Sequence, residues 1–287
     1  MPLQYELQNE KPLYAKLFWN RPTTKARAGR LLIVGGHRHE FSAVHEIYQA
    51  ADAAGAGYIQ VAMPDTLRQI AGGELGHFLP ATQSGSLGKA ALGELLHLAG
   101  EFDAVVVGGN LTNNAETAIL IESLLRKSDH RFVVTQEVIE ILKFHPDLIT
   151  GNPNLVLATT MKGLFDLANN HHIPLAIKPN SGVVGKLEIL QQLVDISRCQ
   201  YVIFDKEVII AAEGRLSLTP LATELSRTQP MVVGLVATMW LQQPGRPYEA
   251  LNGAAWVLSR LKDEDLETSA STSAKIGQIF SELEDSL

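Results

Sequence analysis

The feature that most constrains the fold is a strand, a helix and a second strand in direct succession between residues 30 and 64. RLLIVGG (30–36) is a short, β-branched apolar run closed by glycines, which is typical of a buried strand. SAVHEIYQAADAAGAG (42–57) has an alanine-rich helical period and ends in glycines that suit a helix C-cap. YIQVAMP (58–64) predicts the second strand. Because such a unit makes a right-handed crossover, the two strands are predicted to lie parallel in one sheet.

The same alternation recurs along the chain. Further strands are predicted at 103–110, 131–136, 154–160 and 199–205. Further helices are predicted at 116–128, 137–144, 161–170, 186–198, 231–242 and 248–262. EVIIAAEGRLSLTP (207–220) predicts an antiparallel hairpin with Glu213-Gly214 at its turn. We therefore expect an α/β chain with a three-layer α/β/α architecture, its sheet mostly parallel with an antiparallel edge near 207–218.

The domain organisation is predicted to be simple. No stretch has the composition of a flexible linker, so residues 1–262 are expected to form a single domain. Residues 263–287 form an acidic, polar C-terminal tail with an amphipathic helix expected near 274–284.

Composition excludes several function classes. The formal net charge of −7 argues against a nucleic-acid binder, which would carry a basic footprint. No apolar stretch is long enough to span a bilayer, and MPLQYELQNEKPLYAK lacks the pattern of a signal peptide, so no membrane role is expected. Cys199 is the only cysteine, which excludes an intrachain disulfide and a thiolate metal site. A cytoplasmic protein fits these features best.

Two glycine pairs follow predicted strands, Gly35-Gly36 and Gly108-Gly109. Ligands of open α/β sheets bind outside the carboxyl ends of the strands, which is where both pairs are expected. Glycine there either lets the backbone approach a phosphate or makes a tight turn, and the sequence leaves both readings open. Neither pair belongs to a GxGxxG fingerprint.

The other candidate motifs are weak. His37, His39 and His45 lie close in sequence, and His171-His172 form a pair, but no carboxylate signature accompanies them, so no metal site is predicted. PNSGVVGKLE (179–188) departs from the P-loop pattern at two positions. Lys186 at a helix start could still attract an anion, although a plain loop before a helix is the simpler reading.

Several segments stand together in the order and spacing of one known family. They are Arg21-Pro22, Lys25, Gly29-Arg30, LLIVGG, the Ala-rich helix ending in AGAG, YIQVAMP, Leu79-Pro80 and DAVVVGGNL (103–111). In this layout residues 20–260 resemble the NAD(P)H-hydrate dehydratases. The resemblance implies a ribokinase-like, carbohydrate-kinase-type fold and an enzyme that uses ATP or ADP to dehydrate hydrated NAD(P)H.

The resemblance also implies ligands and an assembly. ATP or ADP with Mg²⁺, NAD(P)H or its hydrate as a further ligand, and a homo-oligomer are expected from it. Together with the strand-end argument it gives these candidates for cofactor binding: Lys25, Gly35, Gly36, His37, Arg38, Gly108, Gly109 and Asn110.

The chain departs from the family in its chemical motifs. The family's Gly-Pro-Gly-Leu-Gly, Asp-Ala-Asp, Thr-Pro-His-Pro-Gly-Glu and Gly-Thr-Gly-Asp fall on residues 108–112, 135–137, 158–163 and 228–231, respectively. The last motif supplies an anion hole and a general-base aspartate in the family. Here Pro230 has no N–H to donate, and Met231 cannot accept a proton.

Three functions remain in view. The first is a divergent dehydratase-like protein with weak or lost catalysis, in which Glu224, Asp205 or Glu207 is the candidate for a relocated base. The second is a non-catalytic protein that binds a nucleotide or a protein partner. The third is a small-molecule kinase on the same scaffold, which lacks the same aspartate. No catalytic residue is assigned.

Overall fold

The apolar runs that end in glycine form the centre of a ten-stranded sheet in a computed structural model of the chain. The structure describes residues 3–71, 76–112, 114–170, 182–225 and 228–285. The strands are β1 Glu6–Leu7, β2 Arg30–Val34, β3 Tyr58–Pro64, β4 Gly76–Leu79, β5 Ala104–Val107, β6 Arg131–Val134, β7 Leu155–Thr159, β8 Gln200–Phe204, β9 Glu207–Ala212 and β10 Arg215–Pro220.

The strand order is β1-β10-β9-β8-β7-β6-β5-β2-β3-β4. Strands β2 to β8 pair in parallel, whereas β9 pairs antiparallel with both β8 and β10. The predicted hairpin is confirmed, and its turn residues Glu213 and Gly214 have φ values of 52° and 72°. Strand β1 was not predicted and pairs in parallel with β10, so it lies outside the hairpin.

Helices cover both faces of the sheet. They are α1 Ala15–Trp19, α2 Ser42–Ala53, α3 Arg68–Ala71, α4 Leu92–Ala99, α5 Ala115–Lys127, α6 Gln136–Leu142, α7 Pro146–Thr150, α8 Met161–Asn170, α9 Val183–Ile196, α10 Gln229–Gln242, α11 Pro247–Leu258 and α12 Ser269–Asp285. Because successive side chains of a strand point to opposite faces, Leu31 and Ile33 join one core while Leu32 and Val34 join the other. Helices α2, α10, α11 and α12 enclose the first core, and α4 to α9 enclose the second. The predicted three-layer α/β/α fold is confirmed.

Helix α10 is buried along almost its whole length, which explains why its sequence is apolar all round. It packs closely against α2, and a side chain at Gly234 would overlap the carbonyl oxygen of Ile47. Farther along the same contact, the Gln242 side chain donates to the carbonyl oxygen of Gly55 at 2.8 Å. Helices α2 and α10 therefore run in the same direction, and both begin at the carboxyl edge of the sheet.

The two ends of the described chain are tied into this arrangement. Gln8 is 1% exposed, and its side-chain amide donates to the carbonyl oxygen of Asn252 at 2.9 Å. Helix α12 begins at Ser269, earlier than the helix expected in the tail, and buries Ile276, Ile279 and Phe280 in the first core. In the ranges that the structure describes, no helix is both long and apolar enough to cross a bilayer.

Candidate functional site

The two glycine pairs meet at the carboxyl edge of the sheet. Strands β2 and β5 are neighbours, with Val34 opposite Val107, so the loops that follow them lie side by side. The Gly36 N–H donates to the Gly109 carbonyl oxygen at 2.7 Å, and the Gly108 N–H donates to the Val34 carbonyl oxygen at 2.9 Å. A side chain at Gly35 would overlap the carbonyl oxygen of Gly108. The structure thus supports the tight-turn reading of these glycines directly.

The loop after β5 also forms a concave group of backbone amides. Gly109 and Asn110 have φ values of 90° and 62°, which direct successive N–H groups toward one point. The N–H groups of Gly109, Asn110 and Leu111 lie 2.9, 3.0 and 3.3 Å from the carboxylate oxygens of Glu137. We call these three amides the amide nest. Glu137, in the first turn of α6, fills it with a negative charge from within the chain.

The Asn110 side chain has a second role. Its Oδ1 accepts the N–H of Ala43, in the first turn of α2, at 2.8 Å. An amide at the N-terminus of α2, which could attract an anion, is therefore paired within the protein. Short polar side chains tolerate the left-handed conformation, which suits asparagine to this position.

His37 and Arg38 lie beside the glycine loops and contact the turn at 82–86. His37 Nε2 is 2.8 Å from the Ser84 carbonyl oxygen, and the Arg38 N–H donates to the Gly85 carbonyl oxygen at 2.9 Å. The Arg38 Nε donates to His39 Nε2 at 2.8 Å. No carboxylate pairs with Arg38 in the described part of the chain, so its exposed guanidinium leaves a positive charge at this edge.

Lys25 does not join this group. It precedes β2, and its Nζ lies 3.1 Å from Asp52 Oδ1 in the last turn of α2. Because α2 runs back from the carboxyl edge, this contact places Lys25 at the amino edge of the sheet. The structure therefore brings together Gly35, Gly36, His37, Arg38, Gly108, Gly109 and Asn110, and it separates Lys25 from them.

The N-terminus of α10 is apolar where the family motif carries its aspartate. Thr228 is the N-cap residue, and its side chain makes no capping hydrogen bond. Pro230 occupies the first turn and has no N–H to donate. Met231 is only 2% exposed. Met231 and Ile47 belong to the same hydrophobic core. Ile47 in turn lies beside the loop after β5, since a Cβ atom added at Gly109 would lie 3.2 Å from Ile47 Cδ1.

The candidates for a relocated base lie after β8. The Leu225 N–H donates to the Asp205 carbonyl oxygen at 3.2 Å, and the Thr228 N–H donates to the Leu225 carbonyl oxygen at 3.0 Å, which links Asp205 to the start of α10. Asp205 Oδ2 accepts the N–H of Met161 at 3.3 Å.

Charges surround this carboxyl. Lys186 Nζ lies 3.8 Å from Asp205 Oδ2 and pairs closely with Glu207. Burial raises the pKa of Asp205, and the charges of Glu207 and Glu224 act in the same direction, against the Met161 hydrogen bond and Lys186. Glu224 is exposed in the loop before α10.

Sequence reasoning missed Glu137 and the polar contacts around it. Thr135 Oγ1 lies 3.4 Å from Glu137 Oε2, and Gln136 hydrogen-bonds with Thr159 at the end of β7. The available signal is an acidic residue three positions after the end of β6, the strand that pairs with β5. From the sequence alone, residues 135–137 mark only a departure from a family motif.

The histidines that the structure describes belong to no group that could hold a metal ion. The rings of His37 and His39 are 5.4 Å apart between centroids. Across the described residues, no three His, Cys, Asp or Glu side chains are grouped so that they could hold a metal ion. His171-His172 and residues 179–181 of the loop before Lys186 lie outside the described residues.

Sequence comparison connects the chain with NAD(P)H-hydrate repair enzymes. No family model matches it. The bifunctional NAD(P)H-hydrate repair enzyme Nnr of Moorella thermoacetica is 27% identical over 167 residues, which are 57% of this chain and 28% of that protein. The protein of the same name from Salinibacter ruber is 28% identical over 168 residues, with the same coverage of 57% and 28%. The chain thus spans little more than a quarter of the length of these curated relatives.

Structural comparison identifies the fold. A ribokinase-like superfamily protein of Enterococcus faecalis has a TM-score of 0.73 at 15% identity and covers 99% of both chains. An ADP/ATP-dependent NAD(P)H-hydrate dehydratase of Bacillus subtilis, co-crystallised with ATP and Mg²⁺, has a TM-score of 0.66 at 13% identity over 94% of this chain and 98% of its own. The Bacillus subtilis pyridoxal kinase has a TM-score of 0.53 at 12% identity over 78% and 88%. The fold is ribokinase-like, and the expected resemblance to the dehydratases is confirmed.

Proposed function

We propose that the chain is a divergent NAD(P)H-hydrate dehydratase-like protein that binds an adenine nucleotide at the carboxyl edge and has little or no dehydratase activity. The start of α10 carries this proposal. A buried methionine, Met231, stands at the position of the family's general base, and Pro230 removes an amide from the same turn.

The chemistry explains why these replacements matter. The family's reaction phosphorylates the hydrate on its hydroxyl group and then eliminates phosphate to restore NAD(P)H. A missing general base typically costs about 10²–10⁴ in rate. A missing anion-hole donor typically costs about 10²–10³. Met231 has no proton acceptor and is only 2% exposed, so neither loss is repaired at this position.

Nucleotide binding is supported by charge and by the relatives. The exposed guanidinium of Arg38, which follows His37 in the chain, gives the carboxyl edge a cationic group suited to a phosphate. A dehydratase with the same fold was co-crystallised with ATP and Mg²⁺. We therefore propose ATP or ADP as the ligand, with Mg²⁺ bound through the nucleotide phosphates and NAD(P)H or its hydrate as a second ligand.

A second candidate function is an active dehydratase with Asp205 as a relocated base. The specific observation in its favour is the raised pKa of this half-buried carboxyl beside the start of α10. Lys186 lies beside the Asp205 carboxylate and forms an ion pair with Glu207. Burial of this kind is common around catalytic acids and bases. A kinase remains a third reading, supported only by the fold shared with pyridoxal kinases.

Thermal shift with ATP, ADP, NADH and NADPH, each with and without Mg²⁺, tests binding. A ligand at about 100 times its Kd stabilises a protein by about 2.7 kcal/mol, which should raise the Tm by roughly 5 °C or more. Arg38→Ala should reduce the shift, whereas Arg27→Ala, an exposed arginine before β2, should not. No shift with any nucleotide would contradict the proposal.

A turnover assay with hydrated NADPH separates the two candidate functions. We expect no ATP- or ADP-dependent dehydration above the background rate. Robust turnover by the wild-type protein would refute loss of catalysis, and its disappearance in Asp205→Asn would favour the relocated base. Turnover that survives Asp205→Asn, Glu207→Gln and Glu224→Gln singly would exclude a relocated base at these positions.

Assembly and location belong to the same proposal. We propose a cytoplasmic homo-oligomer whose partner is a small nucleotide, not a nucleic acid or a membrane. Light scattering of the purified protein after size-exclusion chromatography should give a mass that is at least twice the 31.3 kDa of one chain. A single-chain mass over a wide concentration range would contradict the oligomer.

A further inference from the structure

We infer that Glu137 is an internal competitor for an anion-binding site, and that the amide nest binds a phosphate group once this carboxylate is removed or displaced. Three consecutive N–H groups donate to the two oxygens of Glu137 at 2.9–3.3 Å. The nest belongs to the loop Gly108–Leu111, and Glu137 reaches it from α6, the helix that follows the neighbouring strand β6. An anionic group of the protein itself therefore already occupies the site.

The nest has the properties of an anion site independently of Glu137. Consecutive left-handed residues turn successive amides toward one point, which is the arrangement that binds phosphate groups in many proteins. Gly108 and Gly109 are buried, whereas Asn110 and Glu137 are partly exposed. The amides are thus fixed by the core while the mouth of the nest reaches the surface.

Glu137 fits the site through its own local position. It lies in the first turn of α6, directly after β6, so its backbone is held beside the loop after β5. A tethered carboxylate has an effective concentration in the millimolar range or above, which a free anion must exceed. Hydrogen bonds to charged groups are also stronger than neutral ones. A phosphate in solution is therefore excluded from the nest of the wild-type protein.

This inference deepens the proposed function and rests on it for the kind of anion, a phosphate group. In the wild-type protein the nucleotide phosphates therefore lie nearer to Arg38 than to the nest that Glu137 fills. The test uses inorganic phosphate alone, so its failure can be distinguished from a failure to bind ATP or ADP.

The experiment is a titration of the full chain with inorganic phosphate, followed by NMR of ¹⁵N-glycine. Additional ¹³C′-glycine labelling selects glycines that follow another glycine, and Gly109 is one of them. In the wild-type protein we expect no saturable change of the Gly109 amide. In Glu137→Ala we expect a saturable change, with an apparent Kd at least about tenfold below the highest phosphate concentration at which the wild-type protein shows none, as removal of a charge-assisted competitor implies.

Glu140→Ala is the matched control. Glu140 lies one turn later on α6, pairs with Lys143, and does not contact the nest. Glu140→Ala changes the net charge by the same amount as Glu137→Ala does. It should leave the NMR signal of the Gly109 amide unchanged by phosphate. An equal response in Glu140→Ala, no response in folded Glu137→Ala, or equal affinity of the wild-type protein would each overturn the inference. If Glu137→Ala does not fold, Glu137→Gln, which retains an acceptor oxygen but no charge, decides by the same criterion.

Discussion

At the scale of the residue, Gly108 shows how little freedom the carboxyl edge allows. Its φ of 136° is a conformation that L-residues rarely adopt, and a side chain there would overlap the Thr135 hydroxyl. Its neighbours hold it between the loops after β2 and β6. The conformation and the contact therefore require glycine for separate reasons.

We predict that Gly108→Ala lowers the free energy of unfolding by at least about 2 kcal/mol, since left-handed strain and overpacking each cost about 1–3 kcal/mol. Urea unfolding followed by circular dichroism measures the loss. Gly93→Ala is the control, because no atom lies within 4 Å of its added carbon and the residue is on helix α4. Equal stability of the two variants would show that the structure around Gly108 relaxes enough to accommodate the added methyl group.

Asp205 gives a pH prediction of defined sign. Because burial raises its pKa in the folded protein, the native state holds this proton more tightly than the unfolded chain does. Its contribution to stability is therefore largest below the unfolded value of about 3.9 and decreases as the pH rises through the raised folded value.

Asp205→Asn removes this dependence. The stability of the wild-type protein relative to the variant should fall as the pH is increased from 3.9 upward, measured by urea unfolding at each pH. Glu188→Gln, an exposed carboxyl on α9, controls for the loss of a surface charge. A difference that is constant or grows with pH would mean that Lys186 and Met161 outweigh burial.

At the scale of the element, α12 is part of the core. Phe280 is 4% exposed, and the Arg21 guanidinium lies 3.7 Å from its ring centroid. Phe280→Ala should lower the free energy of unfolding, measured by urea denaturation, by about 3–5 kcal/mol, the usual range for a buried phenylalanine. Glu282→Ala, exposed on the same helix, should change little. A loss below about 1 kcal/mol in Phe280→Ala would show that α12 contributes little to the folded state.

The predictability of the elements follows from their length and pattern. Strands such as β2 and β5 are buried on both faces, so their apolar runs ending at glycine are sufficient to identify them. Strand β1 has only 2 residues and α1 only 5, and neither length gives a hydrophobic period. Their position depends on contacts with β10 and α11, which are far away in sequence.

At the scale of the whole molecule, the site depends on which strands become neighbours. The glycine pairs were recognisable because each follows its own strand. The contact of Glu137 with the amide nest could not be predicted from the sequence. It requires knowing that β5 and β6 are adjacent and in register, with Val107 opposite Val134. The absence of a general base at Met231 follows from the residue type alone. The link between Asp205 and the start of α10 does not follow from the sequence, because it runs through two backbone hydrogen bonds.

The contact between Gln8 and Asn252 joins residues that are 244 positions apart in the chain. A ribosome adding about 5–20 residues per second makes the second residue roughly 10–50 s after the first. For most of that delay the growing polypeptide carries α2 without the helices that later cover it, and β1 has no strand to pair with until β10 has been made. A chaperone that shields α2 on the nascent chain should therefore raise the yield of native protein without binding the finished molecule.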